Sequence, residues 1–253
     1  MDLGLKGLKA VLAGASKGIG RATAEVLAAE GCDVAICARG QEAVDAAVAS
    51  LKAKGVNAIG AAVDMADGEA YRAWVGRAAE ALGGCDIFIP FGSAGGGPAT
   101  EASWKAVFDL DVLATFRGVE AALPYLEKSR SGAIVALGTT SALEEFYGPQ
   151  AYNALKAAVI NYASGLSQAL AGKGIKVNTV SPGPTFVDGG SWDLIKTHMP
   201  AIYERTLGSI PMGRLGNPEE VARAIAFVAS PACPYMTGTN VVIDGGLTKR
   251  VQY

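Results

Sequence analysis

Tyr152 and Lys156 stand four residues apart in a stretch of helical hydrophobic period, so their side chains share one helix face. An ordinary phenol ionises at about pH 10, too high for efficient proton transfer near neutrality. A neighbouring ammonium favours the ionised form, and Lys156 is placed to supply one and to hydrogen-bond a ribose. Alone the pair is weak evidence, because many helices contain one by chance. Thr139 lies upstream, just past an apolar run ending at Leu137, where its hydroxyl could hold a substrate oxygen against the tyrosine. Thr140 and Ser141 offer the same chemistry if the register slips.

A second group of residues suits a diphosphate. Gly14-Ala15-Ser16-Lys17-Gly18-Ile19-Gly20 follows the first apolar run and leads directly into a helix-patterned stretch. Glycines are needed where a Cβ would strain the turn or meet the phosphates, and the helix N-terminus then faces the anion. The spacing is G-x-x-x-G-x-G, not the G-x-G-x-x-G of the common dinucleotide fingerprint. At the end of the second strand an acidic residue would bind the adenosine ribose and repel a 2′-phosphate. Ala38 and Arg39 stand there instead, and with Lys17 they favour NADP(H) over NAD(H). The alternative is that Arg39 is merely a solvated surface charge. Asp64, past the third strand, is suited either to the adenine amino group or to capping the next segment.

Short apolar runs alternate along the chain with longer stretches of helical period. Strands are expected at Lys9–Leu12, Val34–Ala38, Ala58–Val63, Ile87–Phe91, Ala133–Leu137, Lys176–Val180 and Asn240–Ile243. Helices are expected at Gly18–Glu30, Gln41–Lys54, Gly68–Leu82, near Trp104–Leu126, at about Ala151–Leu170 and at Pro218–Ala229. Such alternation implies right-handed crossovers and a doubly wound α/β fold, a Rossmann-like seven-stranded parallel sheet with helices on both faces. No linker or low-complexity segment divides the chain, so residues 1–253 are expected to form one domain.

Half of the 253 residues are hydrophobic and 18% are charged, with a formal charge of −2. No dense basic run suggests nucleic acid or an anionic membrane as partner. His198 and four scattered cysteines lack metal-ligand spacing, so no metal site is expected. Cys32, Cys37 and Cys85 fall in or beside strand-like runs and are expected as buried free thiols, consistent with a reducing cytoplasm. The N-terminus lacks the pattern of an export signal, and no apolar run reaches a membrane span.

Taken together the motifs resemble the short-chain dehydrogenase/reductase family over about residues 6–247. The resemblance rests on the glycine turn, the strand-end hydroxyl, Tyr152-x-x-x-Lys156, and Lys176-Val177-Asn178-Thr179-Val180-Ser181-Pro182-Gly183. Arg214-Leu215-Gly216-Asn217-Pro218-Glu219-Glu220-Val221-Ala222, Thr237-Gly238 and Asp244-Gly245-Gly246 extend it. It implies hydride exchange with a ketone, a secondary alcohol or a 3-oxoacyl thioester, and a homo-oligomer, tetramer or dimer. Tyr152 would be the general acid in reduction and the base in oxidation, Lys156 would tune it, and Thr139 would replace the usual serine. Pro182, Gly183 and Thr185 would pass beside the nicotinamide, although Val187 stands where a threonine is frequent.

Two departures accompany the resemblance. Where Asn-Asn-Ala-Gly is usual, the chain has Pro90-Phe91-Gly92-Ser93, or Ser93-Ala94-Gly95 after a two-residue shift. The asparagine that usually completes the catalytic set aligns with Asp111, whose main-chain carbonyl could preserve the role and whose charge could disturb it. Residues 185–212 correspond to the substrate-covering segment, with Phe186, Trp192, Leu194, Ile195, Met199, Ile202, Tyr203 and Leu207 expected mostly to pack a lid. His198 is expected at the surface, and Arg205 and Arg214 are the candidates for holding a carboxylate. The rival readings are a nucleotide-binding sensor or scaffold without turnover, argued against by the Tyr152/Lys156 pair, and a structural partner, argued against by Gly14, Gly18 and Gly20.

Overall fold

Short continuous apolar runs set the strands, and apolar faces of period 3.6 set the helices that cover them. The computed structural model describes residues 1–251. In chain order these form β1 (Lys9–Ala13), α1 (Gly18–Ala29), β2 (Asp33–Ala38), α2 (Gln41–Lys52), β3 (Ala58–Ala62), α3 (Gly68–Leu82) and β4 (Ile87–Pro90). Next come α4 (Glu101–Val107), a π-helical turn (Phe108–Leu113) and α5 (Ala114–Leu126), then β5 (Ala133–Leu137) and α6 (Ala151–Leu170). The chain continues through β6 (Lys176–Pro182), α7 (Ser191–His198), α8 (Pro200–Ser209), α9 (Pro218–Ala229) and β7 (Asn240–Ile243).

The seven strands pair in parallel in the order β3-β2-β1-β4-β5-β6-β7. Side chains alternate strictly between two cores. Leu12, Ile36, Ile89 and Val135 face the side covered by α1, α2 and α9, while Val11, Ala35, Phe88 and Ile134 face the side of α3, α5 and α6. A parallel sheet buried on both faces needs apolar residues at successive positions, which the strands supply. Strand order reverses between β1 and β4, so the loops after these two strands diverge and open a crevice at their carboxyl ends.

Helix starts follow local chemistry. Asp67 accepts from the main-chain N–H groups of Glu69 and Ala70 at 3.2 and 3.1 Å at the head of α3. At α9, Asn217 and Glu220 form a reciprocal capping box. The expected helix near Trp104–Leu126 is broken by the π-helical turn, where an extra residue is accommodated without ending the helical path. Within the expected substrate-covering segment, Pro200 starts a second short helix, because it pre-sets the first turn and cannot continue α7.

Candidate active site

The glycine turn joins β1 to α1 across the crevice. Gly14 has φ +81°, and a Cβ there would lie 3.1 Å from the main chain of Phe91 and Gly92 in the loop after β4. A Cβ on Gly20 would come within 2.7 Å of the Gly14 carbonyl, so the helix packs this closely on the turn only with glycine present. Unlike α3 and α9, α1 has no side-chain cap at its start, and its first turn has no acidic residue. Its N–H groups therefore remain available to an anion. Ser16 and Ile19 lie in the same turn, half-buried, with Lys17 exposed at its rim. Val187 stands against Gly18, so the segment after β6 comes over the turn. These features fit a dinucleotide diphosphate.

Arg39 is exposed immediately after β2. Hydrogen bonding of Val63 to the Ala38 carbonyl sets Asp64 at the neighbouring strand end, also exposed. Asp64 Oδ1 accepts from the main-chain N–H of Ala66 at 3.0 Å, a local turn bond, while the cap of the next helix is Asp67 and not Asp64.

Tyr152 and Lys156 lie one turn apart near the start of α6, with the Lys156 Nζ 5.9 Å from the centre of the tyrosine ring. Lys156 is buried and donates to the Leu137 carbonyl at the end of β5, at 3.0 Å. Two residues on, Thr139 is buried, and its Oγ1 accepts from the main-chain N–H of Ser141 at 3.3 Å. That contact uses a lone pair and leaves the hydroxyl proton of Thr139 for another acceptor. Ser141 thus supports Thr139 through its backbone.

Asp111 is fully buried in the π-helical turn, and its Oδ1 lies 3.1 Å from Lys156 Nζ. The contact is an ion pair without hydrogen-bond alignment: Asp111 Oδ1 accepts no hydrogen bond, while the lysine donates to Leu137. Asp111 Oδ2 accepts from the Ala94 main-chain N–H at 2.8 Å, and its main-chain carbonyl accepts the Thr115 hydroxyl at 2.7 Å. The carboxylate therefore links the lysine to the loop after β4. Pro90 ends β4 paired with Ala13, so Phe91-Gly92-Ser93 directly follow the strand pairing, and Ala94 meets Asp111.

A hollow of about 120 Å3 lies beside Tyr152, lined by Ala94, Gly95, Gly96, Ser103 and Val107 among others. A larger one of about 320 Å3, lined by Lys9, Asp86, Tyr125 and Lys128, sits at the opposite end of β1 and β4 and touches none of these residues. The hollow at Tyr152 is therefore the relevant one despite its smaller size. Thr185 donates to the Gly183 carbonyl at 3.1 Å and pairs with Gly216, fixing the segment that leaves the buried Pro182. Phe186, Trp192, Tyr203 and Leu207 pack on Ile210, Leu215 and Leu247, while Leu194, Met199 and His198 are exposed. Arg214 is paired with Glu220, and the Arg205 guanidinium lies over the Tyr147 ring. Burial pushes the Cys32 and Cys37 thiols up to about 12 and raises Cys85 as well, which removes these three as nucleophiles.

Sequence reasoning missed the backbone members of the site. The Leu137 carbonyl and the Ala94 N–H have no residue-type signature, and the Thr115 hydroxyl enters by bonding back to the Asp111 carbonyl four residues earlier.

Known proteins resemble the chain over nearly its whole length. Residues 14–248 match the family model described as Enoyl-(Acyl carrier protein) reductase. Isoepoxydon dehydrogenase patN of Penicillium expansum is 35% identical over 258 residues, covering 100% of this chain and 99% of that protein. The 3-oxoacyl-[acyl-carrier-protein] reductase FabG of Staphylococcus aureus is 32% identical over 245 residues, covering 94% and 97%. Among solved structures, L-sorbose reductase from Gluconobacter frateurii, complexed with NADPH and L-sorbose, superposes with a TM-score of 0.90 at 29% identity, covering 99% and 100% of the chains. A short chain dehydrogenase from Burkholderia cenocepacia in complex with NADP gives 0.87 at 34% identity, covering 96% and 99%. The chain belongs to the short-chain dehydrogenase/reductase family. It is an NAD(P)-dependent oxidoreductase of that family.

Proposed function

We propose that the protein exchanges a hydride between NADP(H) and a ketone or secondary alcohol, with Tyr152 as the acid/base. The observation that carries this reading is the Tyr152/Lys156 pair on one face of α6, with a buried ammonium 5.9 Å from the centre of the tyrosine ring. When bound, the nicotinamide supplies or accepts the hydride at the substrate carbon. Tyr152 gives its hydroxyl proton to the carbonyl oxygen in reduction and takes the alcohol proton in oxidation. Thr139 directs its free hydroxyl proton to the same oxygen and holds it in place. Lys156 favours the ionised phenol and holds the ribose beside it.

Gly14, Ser16, Lys17, Gly18, Ile19 and Gly20 would hold the diphosphate, and Pro182, Gly183 and Thr185 the nicotinamide side. Arg39 carries the preference for NADP(H), since a guanidinium pairs well with a 2′-phosphate. Support comes from its exposure at the end of β2 and from relatives solved with NADPH and NADP. Asp64 would stand beside the adenine. Residues 185–212 act as the substrate cover within a single domain. With relatives named 3-oxoacyl-[acyl-carrier-protein] reductase and L-sorbose reductase, 3-oxoacyl and sugar carbonyls are the substrates to try first. The same reading takes the protein as a cytoplasmic homo-oligomer, tetramer or dimer. The exposed Trp104, Phe108 and Phe116 give α4, the π-helical turn and α5 an apolar outer face. No helix among the described residues is long and apolar enough to cross a membrane.

Fluorescence titration with NADPH and NADH, followed by a ketone panel at the nicotinamide absorbance, tests the proposal. Tighter NADPH binding with turnover of a panel member supports it. Tight binding without turnover across the panel would favour a sensor, and no binding would remove the dinucleotide site.

A further inference from the structure

We propose that the Asp111 carboxylate is the standing counter-charge of Lys156. On this account the lysine meets Tyr152 as half of a buried ion pair, and proton exchange at Tyr152 runs in a higher pH range than it would with a neutral amide at position 111. The inference rests on Tyr152 being the acid/base, and it concerns what sets that residue's working range.

Three contacts make the case. One carboxylate oxygen lies 3.1 Å from Lys156 Nζ, the other accepts from Ala94 at 2.8 Å, and Asp111 has no solvent exposure. A buried carboxylate this close opposes the field that a lone ammonium would exert on its neighbour. Other charges around α6 are engaged elsewhere. Lys156 is the only Asp, Glu, Lys or Arg on α6. On α4 and the π-helical turn, Glu101 is exposed, and Lys105 pairs with Asp109 at the surface. Glu144 accepts from the main-chain N–H groups of Lys249 and Arg250, and Glu145 from that of Gly148. β5 and the turn Thr140–Ala142 have no charged side chain, and Lys176 of β6 is bound to the carbonyls of Val228, Ser230 and Cys233.

Asp111→Asn removes the charge while keeping the size and an oxygen for the Ala94 N–H. With the carboxylate gone, Tyr152 is the remaining neighbour able to become an anion opposite Lys156. Its ionisation is then drawn to lower pH.

The test is a pH titration of tyrosinate absorbance in the near ultraviolet, taken as wild type minus Tyr152→Phe. The same difference is then measured in the Asp111→Asn background. This isolates one phenol among eight tyrosines and needs no substrate. The expected result is an onset about one pH unit lower in the Asn background, and the same direction with Asp111→Ser as a second, smaller neutral replacement. An unchanged onset would make Asp111 a purely structural anchor for Ala94. A higher onset would mean that Lys156 gives up its proton instead; either result overturns the proposal. If the onset falls while the pH profile of kcat/KM for alcohol oxidation stays put, the charge pairing stands and Tyr152 loses its place as the base.

Discussion

Lys156 donates to the main-chain carbonyl of Leu137 at 3.0 Å, and this bond joins the helix bearing Tyr152 to the strand end that leads to Thr139. A buried ammonium can remain in that position because Asp111 faces it from the other side. Helix, strand and π-helical turn thus meet at one side chain.

Replacing Lys156 by Met should therefore damage more than chemistry. It leaves Asp111 buried without a counter-charge, and breaking such a pair costs about 3–5 kcal/mol. Denaturant melts should show that loss, and Lys156→Met combined with Asp111→Asn should recover most of the stability while turnover stays absent. Equal stability of the single and double variants would mean that the pair is not energetically coupled.

Thr139→Ala should lower kcat by about a hundredfold, the usual effect of removing one positioned donor to a developing oxyanion. Thr139→Ser should retain most activity. Ser141 contributes a backbone N–H, so Ser141→Ala should be nearly silent in steady-state kinetics. A large effect at Ser141 with none at Thr139 would transfer the role.

Arg39→Asp should weaken NADPH binding by about tenfold or more and narrow or reverse the preference over NADH, since a charge-assisted pair is lost and a repulsion added. Titration of both nucleotides reads this directly. An unchanged ratio would assign the phosphate to another residue, with Lys17 the next to replace.

Much of this arrangement was legible in the sequence because it depends on local rules. Gly68–Leu82 and Pro218–Ala229 have the expected bounds, and Asp67 and Asn217 cap them where side-chain chemistry dictates. The glycine turn was readable because close backbone approach leaves a mark in residue type. The π-helical turn was not: residues 104–126 keep an unbroken helical pattern, and the added residue in the turn is set by packing. Asp111 lies in that turn, buried and facing Lys156. Pro200, suited to the first turn of a helix, marks the start of α8 within the substrate-covering segment.

Glu220 offers a pH test of the helix that packs against the glycine-turn helix. Hydrogen bonds from Arg214, with that of the Asn217 backbone, hold its carboxyl at about 2, below an ordinary 4.5. A depressed folded-state value means the stabilisation is complete above about pH 4.5 and disappears as pH falls through about 2. The Tm gap between wild type and Glu220→Gln should be steady at neutral pH and close over that window. Since both partners are exposed, it should also shrink with added salt. A gap that persists at acid pH would assign the effect to packing.

The most direct test of the whole account compares wild type with Tyr152→Phe in NADPH-dependent reduction of whichever ketone turns over, with NADPH affinity measured on both. The predicted result is a loss of kcat of at least about a hundredfold with NADPH affinity within about twofold of wild type. Retained turnover in the Phe variant would contradict the assignment of Tyr152 as the acid/base, and with it the mechanism proposed for this site.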